Sequence, residues 1–161
     1  MLISHESPRC MLEESRSYNN YCYALVHKFN EDNEYYNFFK DSLKQDRVVY
    51  LDNSLFETET MFDHNEFAKY VKELGIVNPE KFYYIIPDVL EEKDKTIDSF
   101  IEFKKHHPSL PGKSIGVVQG KSYEEIKECY KFMSDNADMI AISFDYSYYL
   151  KLRPDERNKF F

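Results

Sequence analysis

The sequence predicts an α/β protein built on a parallel sheet, and three observations carry that expectation. Short apolar runs rich in β-branched and aromatic residues recur along the chain, the pattern of strands buried on both faces. Longer stretches of helical period, several with recognisable ends, separate those runs. No shift in composition divides the chain, so all 161 residues read as one domain. Parallel strands need a crossover of a dozen or more residues between them, and regular alternation supplies it.

Six runs are strand-like: Leu2-Ile3-Ser4, Tyr23-Ala24-Leu25-Val26, Val48-Val49-Tyr50-Leu51, Phe82-Tyr83-Tyr84-Ile85-Ile86, Ile115-Gly116-Val117-Val118 and Met139-Ile140-Ala141-Ile142. Between them, Asp63 and Glu66 form a capping box ahead of Phe67 to Leu74, with Gly75 placed to stop that helix. A helix from about Glu92 to His106 spaces Ile97, Phe100, Ile101 and Lys104 for one buried face, and Pro108 ends it. Ser122 and Glu125 open another helix, whose Ile126, Cys129, Tyr130 and Met133 are expected to be buried.

A complete (β/α)8 barrel needs roughly 250 residues. About six strand–helix units in 161 residues therefore read as a partial (β/α)8 TIM-like barrel, although six strands would also complete a doubly wound sheet. The last stretch, Tyr146 to Phe161, begins another connection, and we expect a truncation there.

Apolar residues at 42% and only 4 Gly and 6 Pro describe a folded globule rather than a low-complexity tail. A net charge of −8 argues against tight nonspecific nucleic-acid binding by this chain alone, but leaves room for a local basic groove. Cys10, Cys22 and Cys129 are scattered and odd in number, which argues against a disulfide framework and against a zinc site built only from these thiols. The start lacks a signal-peptide pattern and no run is long enough to span a membrane, so a cytoplasmic protein is expected.

In parallel α/β folds, functional groups collect where strands end. The strand ends here deliver Ser4-His5-Glu6, His27, Asp52-Asn53-Ser54, Pro87-Asp88, Gln119-Gly120 and Ser143-Phe144-Asp145. Singly, each has a plain structural reading: Asx residues start turns, Gly120 supplies positive φ, and a lone histidine satisfies local hydrogen bonds. The tyrosines, including Tyr146 to Tyr149, read as packing. Together, two aspartates and a glutamine at successive strand ends suit a purine-like ring, because carboxylates accept from its N–H groups and an amide both donates and accepts. Carboxylates also serve acid–base or nucleophilic chemistry at a glycosidic carbon. No Gly-rich phosphate loop or Cys/His metal cluster is present, so neither cofactor nor metal is expected.

Val48 to Glu57, with Leu51-Asp52-Asn53-Ser54, resembles the strand and Asp-Ser-Gly-Gly-Phe turn of the tRNA-guanine transglycosylases. Ile85-Ile86-Pro87-Asp88 resembles the strand that ends in that family's base-recognising aspartate, and Ser114 to Ile126, with Val118-Gln119-Gly120, resembles its Gly-Ile-Val-Gln-Gly segment. The overall flavour is closest to phage-type and DNA-modifying relatives.

The resemblance implies exchange of guanine for a 7-deazaguanine in DNA or tRNA. Asp52 would be the general acid/base, and Asp88 and Gln119 would bind the base. Gly120 would allow close approach, with Asn53, Ser54, Ser143, His5 and Glu6 nearby. Asn53-Ser54-Leu55 replaces the family's Ser-Gly-Gly, and Ser143-Phe144 replaces a glycine pair. The family's covalent nucleophile lies on a later strand, so this chain alone is expected to be inactive, with open sheet edges covered by a homodimer or a second chain. The alternatives are a noncatalytic purine- or nucleotide-binding module, and an unrelated TIM-barrel lyase or hydrolase.

Overall fold

The computed structural model describes residues 6–18 and 20–142. The expected first strand at Leu2 to Ser4, His5, Ser143 and the last stretch lie outside the described residues.

The five later strand-like runs all form strands: β1 (Tyr21–Leu25), β2 (Val48–Asp52), β3 (Phe82–Ile85), β4 (Lys113–Val118) and β5 (Met139–Ile142). Every pair is parallel, and the sheet order is β1-β2-β3-β4-β5. Glu6 adds one parallel bridge to Tyr23 on the outer side of β1. This order contains no reversal, so the described strands are not doubly wound. Right-handed crossovers that always step the same way place successive helices on one face.

The core divides accordingly. Cys22, Ala24, Val49, Leu51, Phe82, Tyr84 and Val118 face the helices and join their buried residues in one large cluster. The opposite face carries a smaller cluster drawn only from strands: Ile85, Ile115 and Val117, with Tyr50, Tyr83 and Ala141 packed against it. Strand periodicity of two separates these sets residue by residue.

Seven α-helices occur among the described residues: α1 (Leu12–Tyr18), α2 (Lys28–Glu31), α3 (Asn33–Lys44), α4 (Leu55–Thr58), α5 (His64–Glu73), α6 (Lys93–His106) and α7 (Tyr123–Asn136). Both expected N-caps form. Asp63 accepts from the backbone N–H of Asn65 and Glu66, at 3.0 and 2.9 Å, and Ser122 accepts from Glu125 N at 3.2 Å. In place of the return bond to the cap residue, the Glu125 carboxylate accepts from Lys121 N, one residue before the cap. Gly75, at φ +67, ends α5 as expected.

Two helix faces differ from expectation. Helix α6 buries Thr96, Ser99, Phe100 and Phe103, while Ile101 is exposed. Thr96 and Ser99 face inward because their hydroxyls hold the loop after β3: Thr96 Oγ1 donates to Val89 O at 2.9 Å, and Ser99 Oγ donates to Pro87 O at 2.5 Å. On α7, Ile126, Cys129 and Met133 are buried but Tyr130 is exposed. No helix of the described residues is long and apolar enough to cross a membrane.

Candidate functional site

The carboxyl ends of β2 to β5, with Tyr23 from the middle of β1, line a pocket of about 230 Å³ that also takes in Asn53, Asp88 and Gln119. Its apolar floor is Ile85, Val117 and Ala141, three residues of the helix-free face of the sheet. Phe56 and Leu90 stand at its margin with large exposed side chains. The volume falls below the roughly 300–1,000 Å³ typical of sites for drug-sized ligands, and suits a single small ring system.

A hydrogen-bonded chain crosses three strand ends. Asn53 Nδ2 donates to Asp88 Oδ1, and Gln119 Nε2 donates to Asp88 Oδ2, each at 2.6 Å. Backbone groups set both amides. Leu55 N donates to Asn53 Oδ1 at 3.0 Å, and Glu91 N, on a residue with φ 59, donates to Gln119 Oε1 at 2.8 Å. Asn53 Nδ2 also donates to Ile86 O at 3.0 Å. With their oxygens committed to N–H donors, both amides must turn their NH2 groups toward Asp88. Asp88 therefore accepts on both oxygens, which favours its carboxylate form. Burial opposes that charge and pushes its pKa up to about 6, while the Gln119 and Asn53 bonds pull it down and the charge of Asp52 adds to the rise.

Asp52 is held separately. Its Oδ2 accepts from the Tyr23 hydroxyl, and its Oδ1 accepts from Ser54 N at 2.6 Å. Burial raises its pKa, with smaller upward pushes from Glu57 and Glu6, and the Tyr23 and Ser54 bonds oppose the rise. The pocket thus presents two carboxylates with different partners, neither paired to a cation among the described residues, an arrangement found where acid–base work is done. They are the only carboxylates among the described residues that line it.

The expected site residues divide into three groups. Asp52, Asn53, Asp88 and Gln119 come together in the pocket. Ser54, Gly120, Glu6 and His27 lie around it in other roles. Ser54 is buried in the left-handed region at φ 59, so the turn keeps a glycine-type conformation at a non-glycine residue, and its hydroxyl accepts from His27 N at 3.3 Å. Gly120 does not have the positive φ that sequence suggested. It is needed because a Cβ there would meet Glu125 Cβ at 2.8 Å and Ile126 N at 3.0 Å, in the first turn of α7. Glu6 is exposed and lines a different pocket with Arg9, Lys28 and Asp32. His27 sits between β1 and α2, and its buried Nδ1 has no hydrogen-bond partner among the described residues. His5 and Ser143 form the third group, outside the described residues.

Sequence reasoning missed Tyr23, assigning tyrosines to packing. The available signal was parity. Tyr23 and Asp52 share a face and come within reach in the register that sets Leu25 opposite Asp52, and that register is a property of the folded sheet. Among the described residues, no group of three His, Cys, Asp or Glu side chains is arranged to hold a metal ion. Comparison with protein-family models, with curated proteins and with solved structures gave no match.

Proposed function

We propose that this pocket binds a purine-like base, as the base-handling half of a transglycosylase-like site that replaces guanine by a 7-deazaguanine in DNA or tRNA. The parallel sheet is, on this reading, part of a (β/α)8 barrel. The convergence of Asp52 with the Asn53–Asp88–Gln119 chain, from three successive strand ends onto one small pocket, carries the proposal.

Each Asp88 oxygen keeps a further lone pair beyond its internal bond, so the carboxylate can still accept from adjacent ring and exocyclic N–H groups. Phe56 and Leu90 offer apolar surface to the faces of a planar ring. Asp52 takes or returns the proton on the exchanging base. Sequential strand order and one-sided helices support the barrel reading.

The second reading, a noncatalytic purine-binding module, is favoured by one observation. Asp52 and Asp88 are both committed within the pocket, leaving no third carboxylate among its described lining residues to attack a sugar carbon. Equilibrium binding of guanine and 7-deazaguanine, paired with labelled-base exchange into DNA and tRNA, tests both. Binding weakened about tenfold or more by Asp88→Asn supports the base pocket, since hydrogen bonds to charged groups are worth about 1.5–3 kcal/mol. Exchange added to binding supports the enzyme, and binding without exchange supports the module. Absence of purine binding by the wild type rejects both.

A further inference from the structure

We infer that Tyr23 is the positioning residue of Asp52, its hydroxyl clamping one carboxylate oxygen while the Ser54 backbone N–H clamps the other. The inference rests on the base-handling reading of the pocket and deepens it, because it assigns the acid–base carboxylate a dedicated partner.

The clamp is built by three separate features of the chain. Parallel register sets Tyr23 opposite Tyr50 and Leu25 opposite Asp52, so Tyr23 and Asp52 point from the same face, one alternate position apart. The length of a tyrosine ring spans that offset, whereas a serine or threonine at 23 would fall short. The left-handed Ser54, at φ 59, turns its N–H back toward Asp52 Oδ1 at 2.6 Å. Tyr23 and Asp52 both line the pocket, so the pair acts on the space a ligand would occupy.

The consequences follow from proton inventory. A tyrosine hydroxyl has one hydrogen, and this one is spent on Asp52, so the phenolic oxygen can only accept from the pocket. Burial and the neighbouring Asp52 hold the Tyr23 hydroxyl far above its ordinary range, so it remains a donor at every working pH. The proton exchanged with a bound base therefore passes between the base nitrogen and an Asp52 oxygen, and Tyr23 keeps its own. Asp52 takes the Tyr23 hydroxyl from β1, feels the charges of Glu57 from α4 and Glu6 from the segment beside β1, and acts in turn on Asp88 in the loop after β3. Burial and the charges of Glu57 and Glu6 push the Asp52 pKa up, which leaves the Tyr23 and Ser54 donors as the groups that oppose the rise.

The test is a carboxyl-carbon NMR titration of the full chain, with Asp52 assigned by Asp52→Asn, in wild type and Tyr23→Phe. Guanine binding is followed across the same pH range. We expect the Asp52 midpoint to rise by about 1–2 pH units in Tyr23→Phe, as loss of a donor to a charged group requires. The Asp88 midpoint should stay in place, and the acid limb of guanine binding should move up with Asp52. A folded Tyr23→Phe with an unmoved Asp52 midpoint overturns the inference. Should that variant not fold, site-specific 2,3-difluorotyrosine at position 23, a stronger donor, must lower the Asp52 midpoint, and no shift overturns the inference equally. A wild type that binds no guanine removes the base-handling premise instead, and the Asp52 titration, which needs no ligand, tells the two failures apart.

Discussion

Asp88 is the residue on which the site's electrostatics turn, because two backbone N–H groups indirectly decide what it must be. Leu55 N fixes the Asn53 amide and Glu91 N fixes the Gln119 amide, so Asp88 faces two NH2 groups. Asp88→Asn places an NH2 against one of those donors, and neither neighbour can flip without meeting a backbone N–H. At pH 7 the variant should lose about 1–3 kcal/mol of stability, read from urea midpoints. Acidification sharpens the contrast. The folded Asp88 pKa is about 6 against an ordinary 3.8, so the folded state takes up its proton first, and the Asp88 contribution to wild-type stability rises as pH falls through that window. The asparagine cannot titrate, and the deficit should grow by up to about 2–3 kcal/mol between pH 7 and pH 4. His64 and His107 act oppositely. Burial holds their pKa values below 6.5, so their contribution is lost as pH falls through that value, equally in both proteins. A deficit that stays constant with pH would contradict the assignment. At this scale, Asp52, Asn53, Asp88 and Gln119 were legible as polar groups immediately after apolar runs. Their pairing was not legible, because it depends on which strands are neighbours.

Elements were legible where a local signal sets them and illegible where a distant partner does. The caps at Asp63 and Ser122 and the stop at Gly75 are decided within a few residues, and each formed as read. The buried face of α6 is decided elsewhere. Thr96 and Ser99 turn inward to bond the loop that carries Asp88, so a count of apolar residues alone rotated the helix toward Ile101. The same logic governs Gly120, which looked like a substrate-facing glycine and instead admits the first turn of α7 against the end of β4. A methyl group at 120 would overlap Glu125 Cβ and crowd the Ile126 backbone, and neither can swing aside as a flexible side-chain tip would. Gly120→Ala should therefore displace the start of α7 and cost about 1–3 kcal/mol, the usual range for overpacking. Urea denaturation measures the cost, and amide shift changes concentrated in residues 119–126 locate it. A variant as stable as wild type would mean that α7 is free to back away.

At the scale of the whole molecule, alternation in the sequence determined class and strand count among the described residues, whereas strand order came only from the fold. Sequential order has a physical consequence that a doubly wound sheet avoids: one face is covered by helices and the other must find another cover. Among the described residues that second face bears Tyr50, Tyr83, Ile115 and Val117, and it ends at β5, the last strand of the order. Met139, at the amino end of β5 and remote from the pocket lining, is 37% exposed there. An edge strand with exposed apolar side chains templates association through its unpaired backbone groups, and a lysine on such an edge blunts it because pairing would bury the charge. Met139→Lys should leave the thermal midpoint nearly unchanged, since surface substitutions are usually within about 0.5 kcal/mol. It should also weaken self-association, seen by sedimentation velocity as a sedimentation coefficient that climbs less steeply with concentration than in wild type. Identical concentration dependence in the two proteins would show that the outer side of β5 is already covered. The cover would then have to come from the chain itself, and the open edge would be excluded as the route to assembly.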